Sequence, residues 1–451
     1  MTTNGSTKQL SVGEKVGYGL GDTASNLFFQ TFMIYLLFFY TDVFGISAAA
    51  AGTMLLVTRL WDTVNDPIVG VLADRTNSRW GKFRPYILWG AVPFAIAGVL
   101  TFTTPELEPV PKLIYAYVTY GVMMMVYTVV NIPYSALMGV ISPNSLERTS
   151  VSSYRFLFAF AGGLIVQATT LPLVQYFGDG DQQLGFQRTM MLFGAVAAAL
   201  FLVTFASTRE RVTVDSQVET DLRRDLGDLI RNIPWLVLFL VGLFNLTFTS
   251  IRSGTVVYYF KYVVGNEVLA SGFLVAGTVA ILVGVALAPW LTRRFGKKRV
   301  FIVATMASGL LASSFYLLAP ENYYGLLAIQ VLASLCAGPT TPIVWAMYAD
   351  CADYSAYRNK RRATGLVFSA ATFAQKMGWT LGGAVTGWLL AWYGFEANAA
   401  QSADTLDGIR LMFSVIPGVI GVGAGLVMLM YPLGDDEVQR ISTELSKSAA
   451  T

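Results

Sequence analysis

The chain has 451 residues, 54% of them hydrophobic and only 13% charged, with a mean hydropathy of +0.55. A soluble domain carries roughly 25% charged residues to cover its surface, so this composition excludes a soluble protein. Two cysteines, Cys336 and Cys351, exclude a disulfide scaffold, and a net charge of +3 gives no footing for a nucleic-acid partner.

There are no histidines, which removes the usual general base and the usual metal ligand together. The start, Met1 to Lys15, is polar. No cleavable signal peptide is expected there, and the first apolar segment reads as a spanning helix itself.

A spanning helix needs about 20 mostly apolar residues. Twelve stretches qualify, at approximately 17–44, 49–73, 86–103, 113–141, 151–176, 189–207, 235–262, 270–292, 300–319, 323–350, 363–393 and 409–431. The expected fold class is an all-α integral membrane protein of twelve transmembrane helices. A charged interval, 208–232, divides them into halves over 1–207 and 233–434, with a solvated tail over 435–451. Nineteen Lys and Arg fall in the even-numbered connections and about four (Lys112, Arg188, Lys261, Arg410) in the odd ones. That asymmetry places both termini and the central interval in the cytoplasm.

A repeat runs across the halves. Arg79-Trp80-Gly81-Lys82-Phe83-Arg84 follows the second stretch, and Arg294-Phe295-Gly296-Lys297-Lys298-Arg299 follows the eighth. Both read Arg-aromatic-Gly-Lys-x-Arg at the same place in a six-helix half. Two six-helix repeats describe the major facilitator architecture.

An ionisable group near the bilayer centre costs about 2.5–3.5 kcal/mol on insertion scales, so such residues are candidates for function. Setting aside loops and tails leaves Asp22, Arg59, Asp62, Asp66, Arg155, Arg252 and Lys376. In the second stretch Arg59, Asp62, Asn65 and Asp66 share one helical face. Two carboxylates one turn apart repel unless a cation lies between them or one holds a proton. An Arg59–Asp62 pair that merely locks helices is the alternative. In the fourth stretch Thr128 and Asn131 lie one turn apart, beside Pro133, and an interrupted helix is expected there. Arg252 either counters a substrate charge or snorkels.

Asp62-Thr63-Val64-Asn65-Asp66-Pro67, followed by Ser78-Arg79-Trp80-Gly81-Lys82-Phe83-Arg84-Pro85, resembles the signature of the glycoside-pentoside-hexuronide:cation symporters, the melibiose permease family. Gly21-Asp22, Tyr40-Thr41-Asp42-Val43, Asn131-Ile132-Pro133-Tyr134, Tyr154-Arg155-Phe156, Ala349-Asp350-x-x-Asp353-Tyr354 and Lys376 fall in the family's order. The resemblance implies a multi-pass protein of the inner (cytoplasmic) membrane. It implies sugar uptake coupled to Na+ or H+ by alternating access, with no enzymatic activity, no cofactor and no obligate protein partner. It assigns the coupling cation to Asp62, Asn65, Asp66 and Thr128, making these the candidate Na+ ligands. It assigns the sugar to Asp22, Arg155, Trp345 and Lys376, with Asn131, Tyr127 and Arg252 as further candidates from their position. The Arg-x-Gly-Lys loops and Asp350/Asp353 resemble cytoplasmic gate elements.

The sequence departs from the melibiose permease at Asn131, where that family member has an aspartate, at Ser135, where it has a tryptophan, and at Gly21, where it has a lysine. A galactoside is therefore not the expected substrate, and the Asn-Ile-Pro-Tyr form resembles the xyloside and glucuronide branches. Neutral pentosides or short oligosaccharides and anionic uronides both stay open. A lipid or lysolipid transporter of the same fold is the alternative function. An enzyme or receptor finds no support in a chain without histidine or an extramembrane domain.

Overall fold

The computed structural model describes residues 10–212, 227, 229–359 and 364–449. Among the described residues there is no strand. They fall into two compact units, one from Met1–Ile46 with Val57–Gln217 and one from Ser47–Leu56 with Val218–Thr451. Most of the charged interval (213–226 and 228) and the basic residues Lys360, Arg361 and Arg362 lie outside the described residues.

The first unit is built from α1 (Val12–Phe38), the part of α2 (Ala48–Arg75) from Val57 onward, α3 (Arg84–Thr101), α4 (Pro109–Val140), α5 (Ser145–Gly178) and α6 (Gln182–Ser207). Ser11 starts α1 with a capping box, its hydroxyl accepting from the Glu14 N–H while the Glu14 carboxylate accepts from the Ser11 N–H. An aromatic core holds α1, α3 and α6 together: ring centroids lie 5.2 Å apart for Phe28–Phe94 and 5.1 Å for Phe94–Phe201, and just past the ends of α1 and α3 they lie 4.8 Å apart for Phe39–Phe102. Such pairs add specific geometry to the area they bury.

The second unit contains α7 (Ile233–Tyr258), α8 (Leu269–Phe295), α9 (Lys297–Ser314), α10 (Tyr323–Ala337), α11 (Thr340–Asn359), α12 (Thr364–Trp392), α13 (Ala403–Phe413), α14 (Val415–Leu429) and α15 (Asp435–Ala449). One of its apolar clusters joins Trp235 and Leu238 of α7, Phe301 of α9, Met347, Tyr348 and Cys351 of α11, and Tyr431. The tail departs from the solvated segment expected of it. It folds into α15, and Leu433 and Ile441 are buried in that same cluster.

Ten helical stretches, with α10 and α11 counted as one and α13 and α14 counted as one, are long and apolar enough to cross a membrane by length and composition, and the protein is a multi-pass membrane protein. The ten do not include α2 and α12, although these have 28 and 29 residues. Helix α2 is inverted relative to a helix of a soluble protein. Val57, Leu60, Trp61, Val64, Ile68, Val71 and Leu72 are exposed, while Thr58, Asp62, Asn65 and Val69 are buried. An apolar outside around a polar inside is the pattern a lipid solvent selects. Helix α4 corrects one expectation, since it runs unbroken through Pro133. Lipid provides no water to satisfy freed backbone groups, which favours keeping every helical bond that proline permits.

The repeat extends beyond the hexapeptides. The first helix of each unit ends in a π turn, Phe39–Val43 in one and Tyr259–Val264 in the other. In the first unit the Glu210 carboxylate accepts the backbone N–H groups of Lys82 (2.8 Å), Phe83 (2.7 Å) and Arg84 (3.0 Å). In the second, Asp435 accepts from the Lys297 N–H at 3.4 Å. Each carboxylate follows the last apolar helix of its unit and satisfies N–H groups at the start of a helix, where the helix dipole also favours an anion. Gly81 (φ +106°) and Gly296 (φ +82°) turn these loops in the left-handed region.

Candidate functional site

Helix α1 presents Tyr18, Gly21, Asp22 and Ser25 on one face by their i, i+3, i+4, i+7 spacing, and this face meets α4 and α5. The Asp22 carboxylate takes a two-point ion pair from Arg155 of α5, with Nε to Oδ2 at 2.7 Å and Nη2 to Oδ1 at 3.1 Å. The side chains are 13% and 21% exposed, so the pair is mostly desolvated. Tyr134 of α4 donates its hydroxyl to Asp22 Oδ2 at 2.7 Å.

Two tyrosines brace this pair. The rings of Tyr18 and Tyr134 stack with centroids 4.7 Å apart and planes at 17°. Each hydroxyl also reaches the other residue's carbonyl oxygen at 2.7 Å. The Arg155 guanidinium lies 5.7 and 5.0 Å from the two ring centroids, a cation–π arrangement. Asn131 is tied down next to them, accepting from the Ser25 hydroxyl at 2.9 Å and donating to the Tyr127 carbonyl at 3.1 Å. The Tyr127 ring stacks on Phe29 at 6.1 Å and tilts against Phe94 at the same distance.

The second constellation joins α2 to α4. The Thr128 hydroxyl lies 2.5 Å from Asp62 Oδ1 and 3.3 Å from Asp66 Oδ1, so one hydroxyl bridges the two carboxylates. Asp62, Asn65 and Thr128 are buried, and the Asn65 Nδ2 is a buried donor without a partner among the described residues. The converging carboxylate and hydroxyl oxygens match the ligand chemistry of a small hard cation, to which Asn65 can add only its amide oxygen and not the unpartnered Nδ2. No group of three His, Cys, Asp or Glu able to hold a metal occurs among the described residues. The Arg59 guanidinium lies 6.0 Å from the Phe29 ring centroid.

The remaining candidates belong to the second unit. Trp345 stacks on Phe368 at 6.0 Å with planes at 7°. Arg252 donates to Gln330 at 2.8 Å, and its guanidinium lies 4.9 and 5.1 Å from the rings of Phe315 and Phe413. Lys376 is half-buried on α12, where the Thr380 hydroxyl donates to its carbonyl. Lys297 and Asp350 form an ion pair.

Sequence reasoning missed three participants, Tyr18, Ser25 and Tyr134. The signal was the α1 face itself, read outward from Asp22 at helical spacing. It also left Asp42 out of the membrane charges, although Asp42 is 6% exposed.

The model of the MFS/sugar transport protein family matches residues 17–435. The chain belongs to that family. Its curated relatives include the inner membrane symporter YicJ of Escherichia coli (strain K12), 38% identical over 423 residues, covering 94% of this chain and 92% of the relative. The isoprimeverose transporter of Lactiplantibacillus pentosus is 36% identical over 445 residues, covering 97% and 92%. Among solved structures, the nucleoside transporter NupG superposes with a TM-score of 0.61 at 15% identity, covering 94% of this chain and 99% of that one. At that identity the likeness shows the fold, a major facilitator fold.

Proposed function

We propose that the chain is a cation-coupled symporter of a neutral glycoside, a xyloside or short xylose-containing oligosaccharide, in the inner membrane. The observation that carries this reading is the Asp22–Arg155 pair. Both contacts of the guanidinium go to the carboxylate, so the pair is electrically neutral and leaves no net positive charge for a uronate. Asn131 adds an uncharged amide to the same face, where a second acid would make the site anionic. A neutral, hydrogen-bonding surface flanked by aromatic rings suits a sugar, which offers hydroxyls at its edge and C–H groups on its faces. The match to an isoprimeverose transporter supports the same substrate class.

The coupling ion, Na+ or a proton, is assigned to Asp62, Asp66, Thr128 and Asn65. A cation between the two carboxylates relieves their repulsion, and this links loading of the site to the packing of α2 against α4. The reading includes α2 and α12 as spanning helices, giving twelve, with both termini cytoplasmic by the distribution of Lys and Arg. Its halves are 1–207 and 233–434, joined by 208–232. Transport proceeds by alternating access, with no chemical step.

Uptake of labelled isoprimeverose into vesicles containing the purified protein tests this, with methyl xylosides and glucuronides as competitors. Competition by the neutral sugars alone is the expected result. Competition by glucuronides alone overturns the neutral assignment, and uptake independent of any ion gradient overturns symport. Varying Na+ at fixed pH identifies the ion.

A further inference from the structure

The hydrogen-bonding capacity of Asp22 is almost fully used within the protein. A carboxylate has about four acceptor sites. Oδ2 takes Arg155 Nε and the Tyr134 hydroxyl, and Oδ1 takes Arg155 Nη2. One site on Oδ1 is left. Arg155 Nη1 has no partner among the described residues, so the pair offers a substrate one acceptor and a short row of donors.

Tyr134 takes its place because residue 21 has no side chain. A Cβ built on Gly21 would lie 2.5 Å from Tyr134 Cε2 and 3.0 Å from Cζ, closer than real contacts allow. The ring is fully buried, so a side chain at residue 21 is accommodated only by displacing it. The hydroxyl carries one hydrogen for two acceptors, the Tyr18 carbonyl and Asp22 Oδ2, and the charged acceptor takes the stronger share.

We infer that Tyr134 is a positioning residue for substrate choice: its hydroxyl, admitted by the bare Cα of Gly21, occupies Oδ2 of Asp22 and so limits the number of sugar hydroxyls that Asp22 reads. The inference rests on the proposal that the Asp22–Arg155 pair faces the sugar. The spare stretch of Oδ1 and Nη1 fits two neighbouring hydroxyls, one donating and one accepting. With Oδ2 blocked, a third hydroxyl goes unread, and sugars differing only there are accepted alike.

The test uses the full chain in vesicles, a labelled xyloside as the transported probe, and methyl xyloside with each of its monodeoxy analogues as competitors. Tyr134→Phe removes the oxygen and keeps the stacked ring. Opening one acceptor on Oδ2 lets the site penalise a missing hydroxyl. The ratio of half-inhibiting concentrations, deoxy analogue to parent, then rises at least threefold at one ring position, the lower range for one hydrogen bond. Gly21→Ala displaces the ring without deleting the hydroxyl and raises the same ratio, and the double variant adds no further rise. A purely structural role for Tyr134 lowers uptake of all sugars by one factor with every ratio unchanged, and that result overturns the inference. Asp22→Asn and Arg155→Lys run alongside separate the two levels. If neither alters competition, the location of the sugar site is wrong and the inference falls with it. If both do while Tyr134→Phe leaves the ratios fixed, only the role of Tyr134 is wrong.

Discussion

The Glu210 carboxylate occupies the space that a side chain on Gly81 would need: a Cβ there would lie 2.4 Å from its carboxyl carbon and from Oε1. The acid closes over three N–H groups at the start of α3, and Arg84 completes the clasp by donating to the Phe205 carbonyl near the end of α6 at 2.7 Å. Glu210→Ala orphans three donors at once and is expected to destabilise the first unit by about 1–3 kcal/mol. Gly81→Ala adds left-handed strain and a clash and costs at least as much. Thermal unfolding in detergent measures both, and Glu210→Gln is expected to fall between them and the parent, since a neutral carbonyl accepts more weakly than a carboxylate.

Much of this clasp is visible in the sequence, but only in pieces. The paired Arg-aromatic-Gly-Lys-x-Arg motifs announce a repeat because they are local. Their partners Glu210 and Asp435 stand more than 120 residues away in sequence, and nothing in one chain's order links them. The twelve apolar stretches locate helices because length and hydropathy are local properties as well. By contrast, the resemblance assigns Asp22 and Arg155 each to the sugar, but their ion pair across 133 residues and the Tyr134 hydroxyl come only from the structure. The tail misleads for a physical reason: its acidic start, Asp435, Asp436 and Glu437, reads as solvent-facing, whereas every third or fourth residue after it is apolar and faces the cluster on α11.

Ile441 is 2% exposed in that cluster. Ile441→Asp places a charge among apolar neighbours with no partner, a change expected to cost about 2–5 kcal/mol. Because α15 meets the cluster through its apolar face, the cost is met by releasing it. Amide hydrogen exchange over 435–449 is expected to quicken strongly, while helices α7 and α9 keep most of their protection. Uniform loss of protection across the second unit is the contrary outcome.

Arg252 has no carboxylate partner among the described residues, only Gln330 and two aromatic faces. Arg252 is half-buried among apolar groups, and holding an unpaired charge there costs desolvation that an apolar side chain of similar size does not. Under the neutral-substrate reading, Arg252→Met is expected to keep or raise the unfolding midpoint and to leave the half-saturating sugar concentration within about twofold, a change under 0.5 kcal/mol. A tenfold weakening of sugar uptake in this variant points instead to direct substrate contact.

Asp22 and Arg155 are expected to act as one unit. Removing either partner leaves the other charge poorly solvated, a larger loss than removing both. Partial exposure of the pair reduces these terms, so the coupling is about 1–3 kcal/mol rather than the larger values of fully buried pairs. Asp22→Asn and Arg155→Gln are each expected to raise the half-saturating sugar concentration at least tenfold. The double variant is expected to fall short of the product of the two by fivefold or more, and independent effects that multiply would dissolve the pair as a functional unit.

Thr128 decides between a bridge and a bystander at the carboxylates of α2. Its hydroxyl contacts both Asp62 and Asp66, whereas its methyl group is replaceable by any small apolar atom. Thr128→Ser keeps the oxygen and is expected to keep the cation dependence of uptake. Thr128→Val keeps the volume, removes the oxygen and leaves two carboxylates without their shared donor, so the cation must satisfy them with one ligand fewer. The expected result is a rise of about tenfold in the half-saturating cation concentration, the loss of one charge-assisted contact of about 1.4 kcal/mol, with sugar binding at saturating cation little changed. If Val and Ser behave alike, the hydroxyl takes no part in coupling, and the ion is held by the two aspartates and Asn65 alone.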